Sequence, residues 1–217
     1  MDIGPLTVFT AVMAVLFIRA GARAIFERKQ KDGHGFRIGV AIFYGLVASV
    51  AWYFEAAHIH RQNLAGDALE VLTDGKPAAA NCGRFSEELL DIGSTLGFVY
   101  YNNTSVAHLD RGVCQDVWDY SHGGHESPTE DQMQAVHVVA HETGHLIGIK
   151  NEAETECRAV QLNHLVAEYL GATPEEARAM QRWYYDYYYP TMPTSYKSNE
   201  CREGGEMDMF PDRTVFP

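Results

Sequence analysis

The residues of this chain whose types and spacing could do chemistry are His141-Glu142-Thr143-Gly144-His145. On a helix, residues four apart share one face about a turn from each other, so both imidazoles can reach one ion. Glu142 projects from the same turn, where it can take a proton from a water held beside that ion. Two histidine ligands for zinc with a glutamate as general base is the chemistry this spacing allows. Five residues recur by chance in many chains, so the surroundings have to agree.

Ser127-Pro128-Thr129-Glu130 reads as a helix start, with Ser127 as cap, Pro128 at the first helical position and Glu130 completing a capping box. Met133, Val136, Ala140 and Ile147 give that helix an apolar side and Gly148 ends it, so the motif falls in its last two turns. A catalytic zinc takes three protein ligands and keeps a fourth position open. His137 is one turn before His141 but about 12 Å along the axis from His145. That is too far for one ion with bonds of ~2.1 Å, so His137 is expected to pack or to support. Asn151 is a good cap for a second helix over about 152–170, closed by Gly171. A tight turn at 148–151 folds that helix beside the first, bringing its first turn to the histidines. Glu152 and Glu156 share a face there, and Glu154 points elsewhere. His122 and His125, in a His-Gly-Gly-His loop, are expected to be exposed rather than ligating.

The run Glu152-Ala153-Glu154-Thr155-Glu156-Cys157-Arg158-Ala159 resembles the gluzincin-type metallopeptidases. In that family the third zinc ligand is a glutamate on a second helix, often in E-x-E-A followed by Asp or Asn. The resemblance implies His141, His145 and Glu152 as ligands, Glu142 as catalytic base, and Glu156 as the residue that steadies a ligating histidine. Thr155 and Glu156 depart from the family pattern, so Glu156 stays open as an alternative third ligand. Asn151 stands where a metzincin would have its third histidine, which argues against that subclass. Residues 127–202 are also similar to membrane-anchored actinobacterial HExxH proteins with a cysteine-bearing second helix, over roughly a third of the chain.

Other elements must hold this site. Residues 3–18 and 38–54 carry no charge, and each is near the ~17–25 residues that span a bilayer as a helix. They predict spans at about 3–20 and 38–56, the first extended past Arg19 by snorkelling and the second ending in Trp52-Tyr53-Phe54 at an interface. All six basic residues of the region lie at 19–37, which predicts a cytoplasmic loop with the N-terminus and everything after about residue 58 outside. Without a basic n-region or a cleavage site, the first segment does not read as a removable signal. Residues 1–57 therefore read as a transmembrane hairpin in contact with lipid. Residues 58–81 read as a stalk with a helical piece at 61–72 and an alanine linker.

Four cysteines, Cys82, Cys114, Cys157 and Cys201, all follow residue 80 and fit two disulfides in an oxidising compartment. Neighbourhood in sequence favours Cys82–Cys114 and Cys157–Cys201. Residues 58–217 hold 11 of the 17 basic and 25 of the 29 acidic residues, a balance of −14 that excludes a nucleic-acid partner. Residues 85–92 read as a short helix and 113–120 as another. Residues 96–101 and 106–109 read as a β-hairpin. Thr173-Pro174-Glu175-Glu176 starts a third helix, which runs into Trp183 and five tyrosines and stops at Pro190. Those tyrosines are expected to pack, although one could donate to an oxyanion.

The expected fold is mainly α with a little β (α+β): a two-helix membrane hairpin, a stalk at 58–81, a zincin-like helical domain at 82–202 with one hairpin, and a flexible tail at 203–217. The expected function is a membrane-anchored zinc peptidase that cleaves peptide or protein substrates, cell-wall peptides included, outside the cytoplasm. The alternative is a non-catalytic, zinc-stabilised interaction domain. An intramembrane protease is disfavoured, because the motif follows the second span at a distance and sits among charges. Substrate specificity and oligomeric state leave no mark in the sequence.

Overall fold

The computed structural model describes residues 4–26, 34–84, 95–213 and 215–217, so the helix expected over 85–92 lies outside the described residues. The chain divides into two compact units, 1–60 and 61–217.

In the first unit, α1 (Pro5–Phe26) and α2 (His34–Glu70) are both long and apolar enough to cross a membrane by length and composition. Both outrun the spans expected at 3–20 and 38–56. Arg19–Phe26 contains good helix formers and no proline, so nothing breaks the backbone at the first charge. The unit boundary falls inside α2, at His60 and Arg61. Within the unit, the Thr7 hydroxyl donates to the buried Glu55 carboxylate at 2.5 Å, and Gly45 makes room for the Phe17 ring.

The second unit corrects the stalk. Ala65, Ala68, Leu69 and Leu72 are buried in its main core. After a turn with positive φ at Asp74 and Gly75, Ala79–Cys82 forms strand β1. Small residues that resemble a linker are here small for contact: a Cβ at Gly66 would lie 3.3 Å from the Ala80 nitrogen, so the strand runs directly over the helix. The expected hairpin is present as β2 (Gly97–Val99) and β3 (Val106–Leu109), paired antiparallel. β1 adds to the other side of β3 in parallel, giving the order β1-β3-β2. Among the described residues β2 is therefore an edge strand.

Helix α3 (Arg111–Ser121) is capped by Asp110, whose side chain accepts from the Gly112 amide. Helix α4 (Glu130–Leu146) carries the motif and starts two residues later than the sequence suggests. Its cap is Thr129, with Gln132 completing the box; Ser127 is committed elsewhere, its amide closing a 3-10 turn onto the Gly124 carbonyl at 3.2 Å. Helix α5 (Glu152–Tyr169) starts from the Asn151 cap, and Gly171 just past its end has a φ of 107°. Helix α6 (Pro174–Trp183) has the expected Thr173–Glu176 box and runs on through a π turn at Tyr184–Tyr188. Disulfides tie Cys82 of β1 to Cys114 of α3, and Cys157 of α5 to Cys201.

The described residues of the tail, 203–213 and 215–217, do not hang free. The Gln161 side chain, buried on α5, donates to the Met207 carbonyl at 2.9 Å and accepts from the Met209 amide at 2.8 Å. A buried amide needs such partners, and the polar, glycine-rich tail hides them from a reading of composition. Phe210 and Phe216 then pack against the two hydrophobic clusters of the unit.

Candidate metal centre

α4 is buried along its motif face, with Glu142, His141 and His145 all within the unit. Its partner α5 comes close because Gly144 has no side chain: a Cβ there would sit 2.7 Å from Thr155 Cγ2. Gly148, with a φ of 103°, ends α4, and the Asn151 cap sets Glu152 at the first position of α5. The outcome is a triangle of atoms. His141 Nε2 lies 3.2 Å from His145 Nε2 and 3.2 Å from Glu152 Oε2, and His145 Nε2 lies 3.4 Å from Glu152 Oε2.

Protons decide what this triangle is. His145 Nδ1 is 2.8 Å from the Ile149 carbonyl, which can only accept, so His145 donates there. His141 Nδ1 donates in the same way to Glu156 Oε2 at 2.8 Å. When the rings are neutral, as metal ligation requires, each then presents a bare lone pair at Nε2. Two lone pairs and a carboxylate oxygen facing one another repel unless a proton or a metal ion stands between them. Their separations also match the edges of a tetrahedron with bonds of ~2.0–2.1 Å, which are about 3.3–3.4 Å. The donor set thus fits a divalent ion, and imidazole with carboxylate suits several first-row metals.

A second group, His137 with His141 and Glu156, is also compact enough to hold an ion. Its bonding is different in kind. The Asn163 amide donates to His137 Nδ1 at 3.1 Å, which leaves the His137 proton on Nε2, 3.1 Å from Glu156 Oε2. That last contact is close but not aligned as a straight hydrogen bond. Donors here face an acceptor, so the carboxylate already has its partners from within the group. Of the two glutamates left open by the sequence, Glu152 stands beside both Nε2 atoms and Glu156 stands behind His141. Glu154 is exposed.

Electrostatics follow from this layout. Burial works against a charged His141, but the Glu152, Glu156 and Glu142 carboxylates outweigh it and push it up to about 9. The pocket thus attracts positive charge. Without an ion, Glu152 is held below its ordinary range, chiefly by the hydrogen bond from a protonated His141, whose Nε2 proton a bound ion would displace. Burial opposes ionisation of Glu156, yet His137 and His141 hold it well below the usual carboxylate range. Glu142 is the opposite case. Burial pushes it up to about 7 against the pull of His141, with Glu152 adding to the rise. Its Oε2 has no hydrogen-bond partner among the described residues. The other side of this carboxylate meets β2, where a Cβ on Gly97 would be 2.7 Å from Glu142 Oε1. A buried, unpartnered carboxyl balanced near neutrality is equipped for proton transfer.

A cavity of about 350 Å³ opens beside Glu142 and His141, lined also by Gly97, Val138, Tyr188 and Tyr196. The Tyr196 ring is 5.7 Å from that of His141. Burial raises its phenol, and Glu152, Glu142 and Glu156 raise it further. Sequence reasoning missed Tyr196 because it follows two prolines in a stretch that reads as loop. The available signal was Cys201, whose bridge to Cys157 binds this segment to α5 one residue past Glu156. Tyr101 meets His145 edge-on at 6.3 Å and has Lys150 Nζ 5.3 Å from its ring centre. Of the aromatic run, Tyr184 is buried and donates to Glu156 Oε1 at 2.9 Å. His122 stacks on Trp118 at 3.9 Å and His125 lies 3.6 Å from Glu176, so the structure brings neither to the centre.

Comparison with protein-family models, with curated proteins and with solved structures finds no match to the chain. The functional reading therefore rests on the geometry.

Proposed function

We propose that this chain is a membrane-anchored, zinc-dependent metallopeptidase of gluzincin-like design, with its catalytic unit outside the cytoplasm. The observation that carries the reading is the triangle of His141 Nε2, His145 Nε2 and Glu152 Oε2 beside the buried carboxyl of Glu142, whose Oε2 has no partner among the described residues. His141, His145 and Glu152 would hold the zinc, which when bound supplies Lewis acidity to a carbonyl and to a water. Glu142 accepts a proton from that water at its free Oε2 and delivers it to the leaving amine. Its position near neutrality lets one group do both. Tyr196 donates its phenolic hydrogen to the developing oxyanion. The edge of β2, open among the described residues and next to Glu142 at Gly97, would give an extended peptide backbone a place to pair. The two apolar helices support the membrane anchor, and the two disulfides support an oxidising compartment.

The test uses the full chain in detergent, loaded with zinc and offered a diverse quenched-fluorescent peptide library. Hydrolysis is expected from the wild type, with a loss of roughly 10²–10⁴-fold in Glu142→Gln while zinc is retained. Undiminished cleavage by Glu142→Gln sinks the assigned mechanism. Zinc bound without cleavage of any library member leaves the non-catalytic domain instead.

A further inference from the structure

The Glu156 carboxylate has more partners than the support of one histidine requires. His141 Nδ1 reaches its Oε2 at 2.8 Å, His137 Nε2 approaches the same oxygen at 3.1 Å, and the Tyr184 hydroxyl donates to Oε1 at 2.9 Å. His137 is itself fixed twice. Asn163 sets its tautomer from one side, and its ring stacks on Tyr184 with centres 3.5 Å apart. All five side chains come from three helical segments, and all but His141 are at most 2% exposed.

We infer that His137 and Tyr184 are positioning residues of the metal centre, which act by locking Glu156 so that the His141 proton stays on Nδ1 and Nε2 stays free for the metal. The physical reason is orientation. A carboxylate held by one hydrogen bond can rock about its terminal torsion, and the imidazole it orients rocks with it. Donors on both oxygens remove that freedom, and stacking on Tyr184 stops His137 from turning away. His137 and Tyr184 also line the cavity, so the same side chains that steady the metal ligand form a wall of the proposed substrate site.

The inference rests on the metal reading above, and its test separates the two. Zinc dissociation constants are measured for the full chain in detergent by competition with a chelator. The variants are Tyr184→Phe, His137→Leu and His137→Gln, each also in a Glu156→Gln background. Outer partners of metal ligands typically change affinity about 10–100-fold, and a residue one step further out belongs at or below the lower end. Tyr184→Phe and His137→Leu are each expected to weaken zinc about 3–10-fold. His137→Gln, whose amide can still donate to Glu156, should stay within about twofold, and the effect of Tyr184→Phe should vanish in the Glu156→Gln background. Should His137→Leu fail to fold, Tyr184→Phe, which removes only a hydroxyl, carries the test. Unchanged affinity in the single variants overturns the inference while leaving the zinc site intact. So does an equal loss with and without Glu156, since that would mean general destabilisation. A wild type that binds no zinc overturns the metal reading as well.

Discussion

Gly97→Ala tests how tightly the sheet holds the general base. The added methyl would fall 2.7 Å from Glu142 Oε1 and 3.0 Å from both Cδ and Cγ. Ordinary contact begins near ~3.4 Å, so the overlap is about 0.7 Å. Glu142 is buried, and β2 is hydrogen-bonded to β3, so the carboxylate and the strand must share the displacement. A misplacement of about 1 Å in a catalytic group can cost ~10²-fold, so a drop in kcat of about 10–50-fold is expected. The overlap should also cost about 1–3 kcal/mol of stability, against a gain of ~0.5–1 kcal/mol from replacing a strand glycine. Zinc content should not change, because the three atoms nearest the added methyl all belong to Glu142 and none to a ligand. The assay is steady-state hydrolysis of the best library peptide, with zinc measured on the same sample and unfolding followed in parallel. A variant with kcat within twofold of wild type and zinc intact would refute the packing of β2 against the base.

Gly144→Ala should destabilise the protein by about 1–3 kcal/mol through Thr155 Cγ2, and Thr155→Ser should recover much of that in the double variant, as measured by denaturant unfolding. In the metal-free protein Glu142 is raised to about 7 from an ordinary 4.5, so its burial is costless at low pH and the stability it withholds grows as pH rises from 4.5 to 7. Glu142→Gln should therefore stabilise the metal-free chain by about 2–3 kcal/mol at pH 8 and by little at pH 4.5; equal stabilisation at both would contradict the assignment. Removing the Cys157–Cys201 bridge by alanine at both positions opens a loop with a sequence separation of 44, worth up to about 4 kcal/mol. That variant should lose kcat more than zinc affinity, because the bridge fastens the Tyr196 segment and not the ligands.

Much of the centre was legible because its parts are local. The HETGH spacing, the Asn151 cap and the first-turn glutamates lie within sixteen consecutive residues, where helix geometry alone relates them. The rise of a helix was enough to keep His137 and His145 from sharing one ion. What stayed hidden depends on approach between distant segments. Gly144 and Gly97 reveal their purpose only when Thr155 and Glu142 are seen against them. β1 was read as linker because alanines carry no strand signal, and its pairing with β3 is set by packing over α2. Two overlapping capping patterns at 127–132 compete, and the choice of Thr129 depends on a 3-10 turn that the sequence does not announce. Tyr196 arrives through a disulfide.

The central claim is that His141, His145 and Glu152 hold one metal ion. It is tested most directly by titrating the full, metal-free chain with cobalt(II) and reading the visible absorption, beside Glu152→Ala and Glu154→Ala. One ion per chain with the strong bands of a four-coordinate site is expected for the wild type and for Glu154→Ala, and their loss for Glu152→Ala. Unaltered bands in Glu152→Ala, or no bound cobalt in the wild type, would contradict it.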